Sequence, residues 1–246
     1  MSSTEFRNQL LRALPARDLQ HLALHLESVH LEQGQQLGRA GELADHVYFP
    51  ESALGSVVIK SGNHSMEGLM FGCDGMSSTA LLVDDHSPFS CVTRLSGAAS
   101  RVATGSFKEF LQTHPYSVRI FRRYAKTECV QMGFTVVATG RAKLEQRVAR
   151  WLAMACDRSL TDTLATTQEN LAELFGVRRP SVTDCLHTLE GHRMIQGSRG
   201  MIRITDQKAL AGFAGSHYGE AEREYTRIMG FAPGSSLPPK ALSARD

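Results

Sequence analysis

Two adjacent arginines, Arg178 and Arg179, are followed closely by Arg193, Arg199 and Arg203. One short stretch thus concentrates the side chain best suited to gripping an anion. Each guanidinium can donate two parallel hydrogen bonds, to a phosphate or to O6 and N7 of a guanine. Between residues 176 and 203 these five cations face only Asp184 and Glu190, a local balance of +3 in a chain whose total is +2. Basicity is therefore local and not a coat over the whole molecule. Ser181, Thr183 and His187 are interleaved with the arginines, and Thr167 and Gln168 stand just upstream. This inventory suits the recognition of phosphates and base edges rather than catalysis. The chain holds no G-x-S-x-G, no Walker loop and no metal-ligand spacing, which argues against an enzyme.

The segments around these residues must hold them at a surface. Thr166 and Glu169 have the spacing of a capping box, which predicts a helix start. Leu171, Leu174 and Phe175 form an apolar stripe, and Gly176 follows where a left-handed residue can end the helix. Val177 is expected to plug the turn from inside. A second helix is predicted from Pro180, which suits a first turn, with Val182, Leu186 and Leu189 on its buried face. Its opposite face carries Arg179, Ser181, Thr183, Asp184 and His187. Ile195, Ile202 and Ile204 then flank Gly197-Ser198-Arg199-Gly200, a turn between two short strands. Helix, turn, helix and hairpin in that order make a winged helix-turn-helix, which places one helix in a DNA major groove. The expected contacts to double-stranded DNA are Thr167, Gln168, Arg178, Arg179, Ser181, Thr183, Asp184, His187 and two wing arginines, Arg199 and Arg203. Similar shapes with basic faces occur in proteins that bind no DNA; here cap, turn, Arg-Arg-Pro start and wing coincide.

From Arg141 to about Thr205 the sequence resembles the DNA-binding domain of the CRP/FNR family of bacterial transcription regulators. The run Leu144-Glu145-Gln146-Arg147-Val148-Ala149-Arg150-Trp151-Leu152 is similar to the stretch leading into that domain. The resemblance implies an α+β architecture: an N-terminal antiparallel β-roll sensor domain, jelly-roll-like, a long dimerisation helix and a C-terminal winged helix-turn-helix. It also implies a homodimer that acts with RNA polymerase on a pseudo-palindromic operator. Aligned on Gly176, Arg179 falls where the family's arginine reads a guanine. Pro180 stands where a glutamate is usual and Asp184 where an arginine is usual, so the half-site differs from the familiar TGTGA type.

The resulting layout is a roll over residues 1–114, a dimerisation helix over 115–140, the DNA-binding domain over 141–210, and a closing helix and disordered tail over 211–246. Residues 4–26 predict two helices broken at Pro15, with His21, His25 and His30 close enough for a metal but without the accompanying carboxylate or cysteine pattern. Between Gly34 and Gly105, ten glycines punctuate short β-prone runs such as Val47-Tyr48-Phe49 and Ser56-Val57-Val58-Ile59. Family members that bind cyclic nucleotide are similar in a phosphate cassette with Gly-Glu and a later arginine. The matching stretch here is Gly72-Cys73-Asp74-Gly75-Met76-Ser77-Ser78-Thr79-Ala80, no arginine stands between Lys60 and Arg94, and Asp84-Asp85 would repel phosphate. Cyclic AMP or GMP is therefore not the expected effector; another ligand, or none, stays open, and no cofactor is called for. The alternative reading is a small-molecule or redox sensor in which the roll's ligand is the main function.

After Pro115 the chain runs without glycine to Gly133, and Val118, Ala125, Cys129, Met132, Val136 and Thr139 recur at coiled-coil spacing. The stripe could pack on its own roll, but a dimer seam is favoured because one reading head spans too few base pairs for specificity. Gly140 is the expected hinge. Residues 207–230 predict one closing helix with Leu210, Phe213, Tyr218 and Tyr225 on its apolar parts, before a proline-containing tail from Ala232 to Asp246. The five cysteines are scattered and expected to be free thiols, mostly buried; Cys185, on the second helix, could sense oxidants but more simply packs beside Val182 and Leu186. With 246 residues, 42% hydrophobic, the chain has room for two cores. No apolar run is long enough for a membrane span and no signal-peptide core is visible, so the expectation is a cytoplasmic protein without a membrane partner.

Overall fold

The computed structural model describes residues 6–83 and 86–235. Two short helices, α1 (Gln9–Ala13) and α2 (Ala16–Ala23), open the chain on either side of Pro15. Asn8 caps α1 by accepting from the amides of Leu10 and Leu11, while its own amide donates to the carbonyls of Pro50 and Gly75. The cap thus also pins the helix to the body of the domain.

Seven strands follow: β1 (Glu27–Leu31), β2 (Gln36–Gly38), β3 (His46–Pro50), β4 (Leu54–Ser61), β5 (His64–Phe71), β6 (Ser90–Leu95) and β7 (Gly97–Ala103). They form two antiparallel sheets in the orders β1-β7-β3 and β2-β6-β4-β5, the roll that the glycine punctuation predicts. Alternation decides what faces inward: β6 buries Cys91, Thr93 and Leu95 and turns Ser90, Val92 and Arg94 the other way. Helix α3 (Thr104–Thr113) and the long helix α4 (Pro115–Arg141) close the roll. Phe107 of α3 meets Phe49 of β3 edge-on at 6.1 Å and Phe121 of α4 at 5.4 Å, an aromatic centre for this core.

Helix α4 has two faces. Ile120, Phe121, Tyr124 and Gln131 are buried in their own chain. Gln131 accepts from the amide of Met70 and donates to its carbonyl, which caps the edge strand β5 with a side chain instead of another strand. The predicted seam divides: Ala125 and Met132 pack against the roll's core, whereas Cys129 and Val136 are exposed, Val136 at 71% and the adjoining Val137 at 52%. Gly133 and Gly140 do not interrupt the helix; it stops at Ala142, two residues past the expected hinge.

The second body comprises α5 (Leu144–Ser159), β8 (Thr163–Leu164), α6 (Gln168–Phe175), α7 (Arg179–Gly191), β9 (Ile195–Ser198), β10 (Met201–Ile204) and α8 (Gln207–Ala214). Its core is not sealed off from the roll, because Leu54, Met70 and Leu95 of the sheets pack into it. The single closing helix expected over 207–230 is split. Gly215 and Gly219 take positive φ, a short 3₁₀ turn lies between them, and a separate helix α9 (Glu220–Met229) leaves the domain. Tyr225, Ile228 and Met229 of α9 enter the roll's core beside Phe121 and Tyr124. Ala232–Ser235 also depart from the expected disorder, since Gln9 Nε2 donates to the carbonyls of Ala232 and Ser235. The rest of the tail, with Pro238 and Pro239, lies outside the described residues, as do Asp84 and Asp85. Among the described residues no helix is long and apolar enough to cross a membrane.

A cavity of about 340 Å³ lies inside the roll against α4, walled by Val57, Leu69, Phe89 and Met132, with Thr79 and Glu128 supplying polarity. Of the stretch Gly72–Ala80 that aligns with the phosphate cassette, Met76 to Ala80 line the cavity, whereas the Gly72–Gly75 turn does not. That turn is used elsewhere: the Cys73 amide donates to the carbonyl of Arg158, and a Cβ on Gly72 would collide with the same carbonyl. Arg39 reaches the cavity but pairs with Glu42 at 3.6 Å. Glu128 accepts from the hydroxyl of Thr79, and burial pushes its carboxyl up to about 8. An acid raised in the folded state favours folding while protonated, so this contribution is present below about pH 4.5 and is lost as pH rises to about 8. The Glu128→Gln variant is expected to flatten that decline, whose slope is at most about 1.4 kcal/mol per pH unit. Urea unfolding of both proteins across this range measures the difference, and parallel curves refute it.

Candidate nucleic-acid interface

Helix α6 begins with Thr167 as its cap, the hydroxyl oxygen accepting from the Asn170 amide at 3.1 Å. This corrects the Thr166–Glu169 capping box by one residue. Leu164 pairs with Ile202 in the β8–β10 ladder, which keeps the chain extended and leaves Thr166 buried with its amide on the Leu164 carbonyl. Either threonine could cap on sequence grounds, and the third strand of the wing decides between them. At the other end Gly176 takes φ 64° as the C-cap, and the Val177 amide reaches back to the Ala172 carbonyl. The Val177 side chain packs against the domain's core, as the sequence predicts.

Helix α7 starts at Arg179 with Pro180 in its first turn and buries Val182, Cys185, Leu186 and Leu189. Arg178, Arg179, Asp184 and His187 are exposed, whereas Ser181 and Thr183 are half-buried. The Thr183 hydroxyl donates to Gln168 Oε1 at 2.8 Å, so this pair ties α6 to α7. The wing, β9 and β10, turns at Arg199-Gly200, with Arg199 exposed at its tip. Glu190 Oε1 accepts from the Gly197 amide at 2.7 Å and docks the wing on α7. Sequence reasoning gave Glu190 no role beyond its charge; its position one turn past His187 was the available signal.

Between α7 and the wing lies a cleft of about 520 Å³ where Thr167, Gln168, Arg179, His187 and Arg199 converge. Arg178, Ser181, Thr183, Asp184 and Arg203 do not line it. Arg203 sits on β10 with its guanidinium 3.3 Å from Asp162, an exposed pair. Cys185 is packed in the core, and burial pushes its thiol up to about 11, which leaves little thiolate to react. His21 is hydrogen-bonded to His114 at 3.1 Å, while His30 lies on β1 beside Glu32. Among the described residues no three metal-ligating side chains cluster.

Residues 146–213 match the sequence profile of the Crp-like helix-turn-helix domain. This is a Crp-like helix-turn-helix domain on a CRP/FNR fold. The fold is shared with a chain from Eubacterium rectale assigned to the CRP/FNR family of transcriptional regulators, at TM-score 0.62 and 16% identity over 85% of this chain and 99% of that one. A CRP-family transcriptional regulator from Thermus thermophilus aligns at TM-score 0.61 and 18% identity, over 78% and 99% of the two chains. FixK2 from Bradyrhizobium japonicum aligns at TM-score 0.62 and 12% identity, over 78% and 98%. No curated protein sequence matches the chain. The run Leu144–Leu152, which carries part of the sequence resemblance, is the first half of α5 and enters the matched domain from Gln146 onward.

The shifted cap can be tested directly. Thr167→Ala is expected to destabilise the Crp-like domain by about 1 kcal/mol, the usual loss for a helix cap, and an unchanged denaturant midpoint for that variant refutes the assignment.

Proposed function

We propose that the protein is a homodimeric transcription regulator that reads a pseudo-palindromic DNA operator through α7 and the wing, without gating by cyclic AMP or GMP. The observation that carries the reading is the pair Arg179 and Arg199: both are exposed and both line the cleft between α7 and the wing. Arg179 at the first turn of α7 is set to meet a base edge, because the N-terminal residues of a recognition helix enter the groove. Arg199 at the wing tip is set to meet backbone phosphate. Thr167, Gln168, Arg178, Ser181, Asp184 and His187 supply further polar contacts, and Thr183 acts by holding Gln168. Arg203 contributes to phosphate binding only after exchanging Asp162 for it. Dimerisation along the outer face of α4 is supported by the apolar Cys129, Val136 and Val137 left outside the chain's own core. The two recognition helices then fall about 34 Å apart, in successive major grooves. As a cytoplasmic regulator of this type its further partner is RNA polymerase.

Selection of binding sites from random duplexes tests sequence reading and palindromy together. Arg179→Ala is expected to cost about 1–3 kcal/mol of binding and to relax one base position, and Arg199→Ala to weaken all sequences alike while lowering the salt slope by about one. Intact selectivity in the Arg179→Ala protein defeats the assignment.

The roll cavity supports the second half of the reading. A buried cyclic phosphate needs a buried arginine and free amide donors, whereas this cavity places Glu128 against the ligand and its Arg39 is solvent-exposed beside Glu42. Calorimetric titration with cyclic AMP and cyclic GMP is expected to show no saturable binding in the micromolar range; a micromolar isotherm overturns this conclusion.

A further inference from the structure

The segment after the Crp-like domain turns away from it and is built into the roll. Tyr218 donates its hydroxyl to Asp157 Oδ2 at 2.5 Å, on the DNA-binding side. Beyond Gly219, helix α9 buries Tyr225, Ile228 and Met229 in the roll's core, followed by Phe231. The Tyr225 hydroxyl donates to the Asp74 carbonyl at 2.6 Å, and Gln9 holds the backbone of Ala232, Gly234 and Ser235.

Arg158, at the C-terminal end of α5, joins the pieces. Its Nε lies 3.1 Å from Asp74 of the roll and its second guanidinium nitrogen 3.7 Å from Glu222 of α9. The side chain is 2% exposed, so neither partner can be replaced by water. The Arg158 carbonyl in turn accepts from the Cys73 amide. Roll, domain and C-terminal segment thus meet at one residue. A second fastening exists at the opposite end of the interface, where the Trp151 indole donates to Glu67 at 2.9 Å and Leu54, Met70 and Leu95 enter the domain's core.

We propose that Gly219–Ser235 is a strap that locks the Crp-like domain to its own roll, holding α7 and the wing in one DNA-ready orientation. Relative domain motion is the default where an interface is small and polar. Here the junction is apolar and carries a buried charge, and the recognition cleft remains uncovered with the strap closed. The strap is therefore a positioning device and not a brake. A domain released from it occupies the competent orientation only part of the time, and apparent affinity falls by that fraction.

Two variants separate release from misfolding. One is the chain truncated after Tyr218. The other is Glu222→Gln combined with Tyr225→Phe, which keeps the shape of the core while removing the charge and the hydroxyl. Hydrogen–deuterium exchange followed on Cys73 and on the last turn of α5 is expected to speed up about tenfold or more in the double variant, with the amides of β3 and β7 unaffected. Affinity for a full two-half-site duplex is expected to fall about tenfold, while affinity for a single half-site is retained. Unchanged exchange at Cys73 and α5, loosened exchange with full-operator affinity intact, or tighter operator binding by either variant each overturns the proposal. If the truncated chain does not fold, the double variant decides. The duplex measurements rest on the DNA reading proposed above, whereas the exchange measurements do not; a wild-type protein that ignores DNA defeats that reading and leaves the strap to be judged on exchange alone.

Discussion

A single buried guanidinium organises the molecule. Taking an arginine out of water costs several kcal/mol, and the burial is tolerated only where close carboxylates compensate. Burial by itself lowers the proton affinity of Arg158, yet Asp74, Glu222 and Asp157 together raise it. Positions 74, 158 and 222 come from three separate parts of the chain, so the charge can be satisfied only when all three are assembled. Loss of Asp74 would remove the nearest of these carboxylates, whereas loss of Glu222 leaves Asp74 still 3.1 Å from the guanidinium. The arrangement is not saturated: Arg158 Nε and Glu222 Oε1 complete no hydrogen bond despite approaches of 3.1 Å and 3.7 Å, which makes these close ion pairs rather than a tight fork. Such a group contributes less to net stability than to uniqueness, since every alternative docking of the domain strands the charge.

The rest of the domain junction follows the same logic with neutral groups. Gln131 satisfies both backbone groups of Met70 at the sheet edge, and the Trp151 indole finds Glu67. Burial raises the Glu67 carboxyl and Arg94 opposes the shift, with the two side chains 3.7 Å apart. The Gln131 contacts join helix to sheet and the Trp151–Glu67 contact joins helical domain to roll, while Arg94 holds Glu67 from within the same sheet. An apolar interface alone would tolerate sliding; buried polar groups with one good partner each do not. Leu54, Met70 and Leu95 supply area, and the hydrogen bonds supply register.

Legibility in the sequence divided along the same line. Whatever is encoded locally was readable: Gly176 as the helix stop, Pro180 in the first turn of α7, the Val182–Leu186–Leu189 stripe, the Arg199 turn, and the roll from its glycine punctuation. The cap misplaced by one residue fell where a long-range strand pairing, Leu164 with Ile202, overrode a local signal. The 3/4 alternation on α4 was visible locally, but it merges two uses: Ala125 and Met132 pack against the roll's core, while Cys129 and Val136 are left exposed. The split at Gly215 and Gly219 was also local in origin, but two glycines in an amphipathic run do not say where the second half goes. Tyr225, Ile228 and Met229 show the spacing of a helix that needs a partner, and nothing in that spacing names the roll. Arg158 was invisible for the same reason: an arginine at the end of a helix is usually solvated, and its burial depends on residues far away in the chain.

The recognition surface itself carries no comparable buried charge. Arg178, Arg179 and Arg199 are exposed, and the surface is held by local devices, Thr183 on Gln168 and Glu190 on the wing. Stiffening α7 further would therefore change little. Precision is lost more easily at the other end of α5, a helix of 16 residues that spans about 24 Å. A small tilt at Arg158 is levered across that length before it reaches α7. In the dimer proposed above, which would match two grooves at a fixed separation, the error adds from both protomers. Placing the strongest electrostatic constraint at the far end of the lever, away from the proposed DNA surface, is consequently where it controls the spacing most, and it leaves the arginines proposed to meet DNA free to adapt.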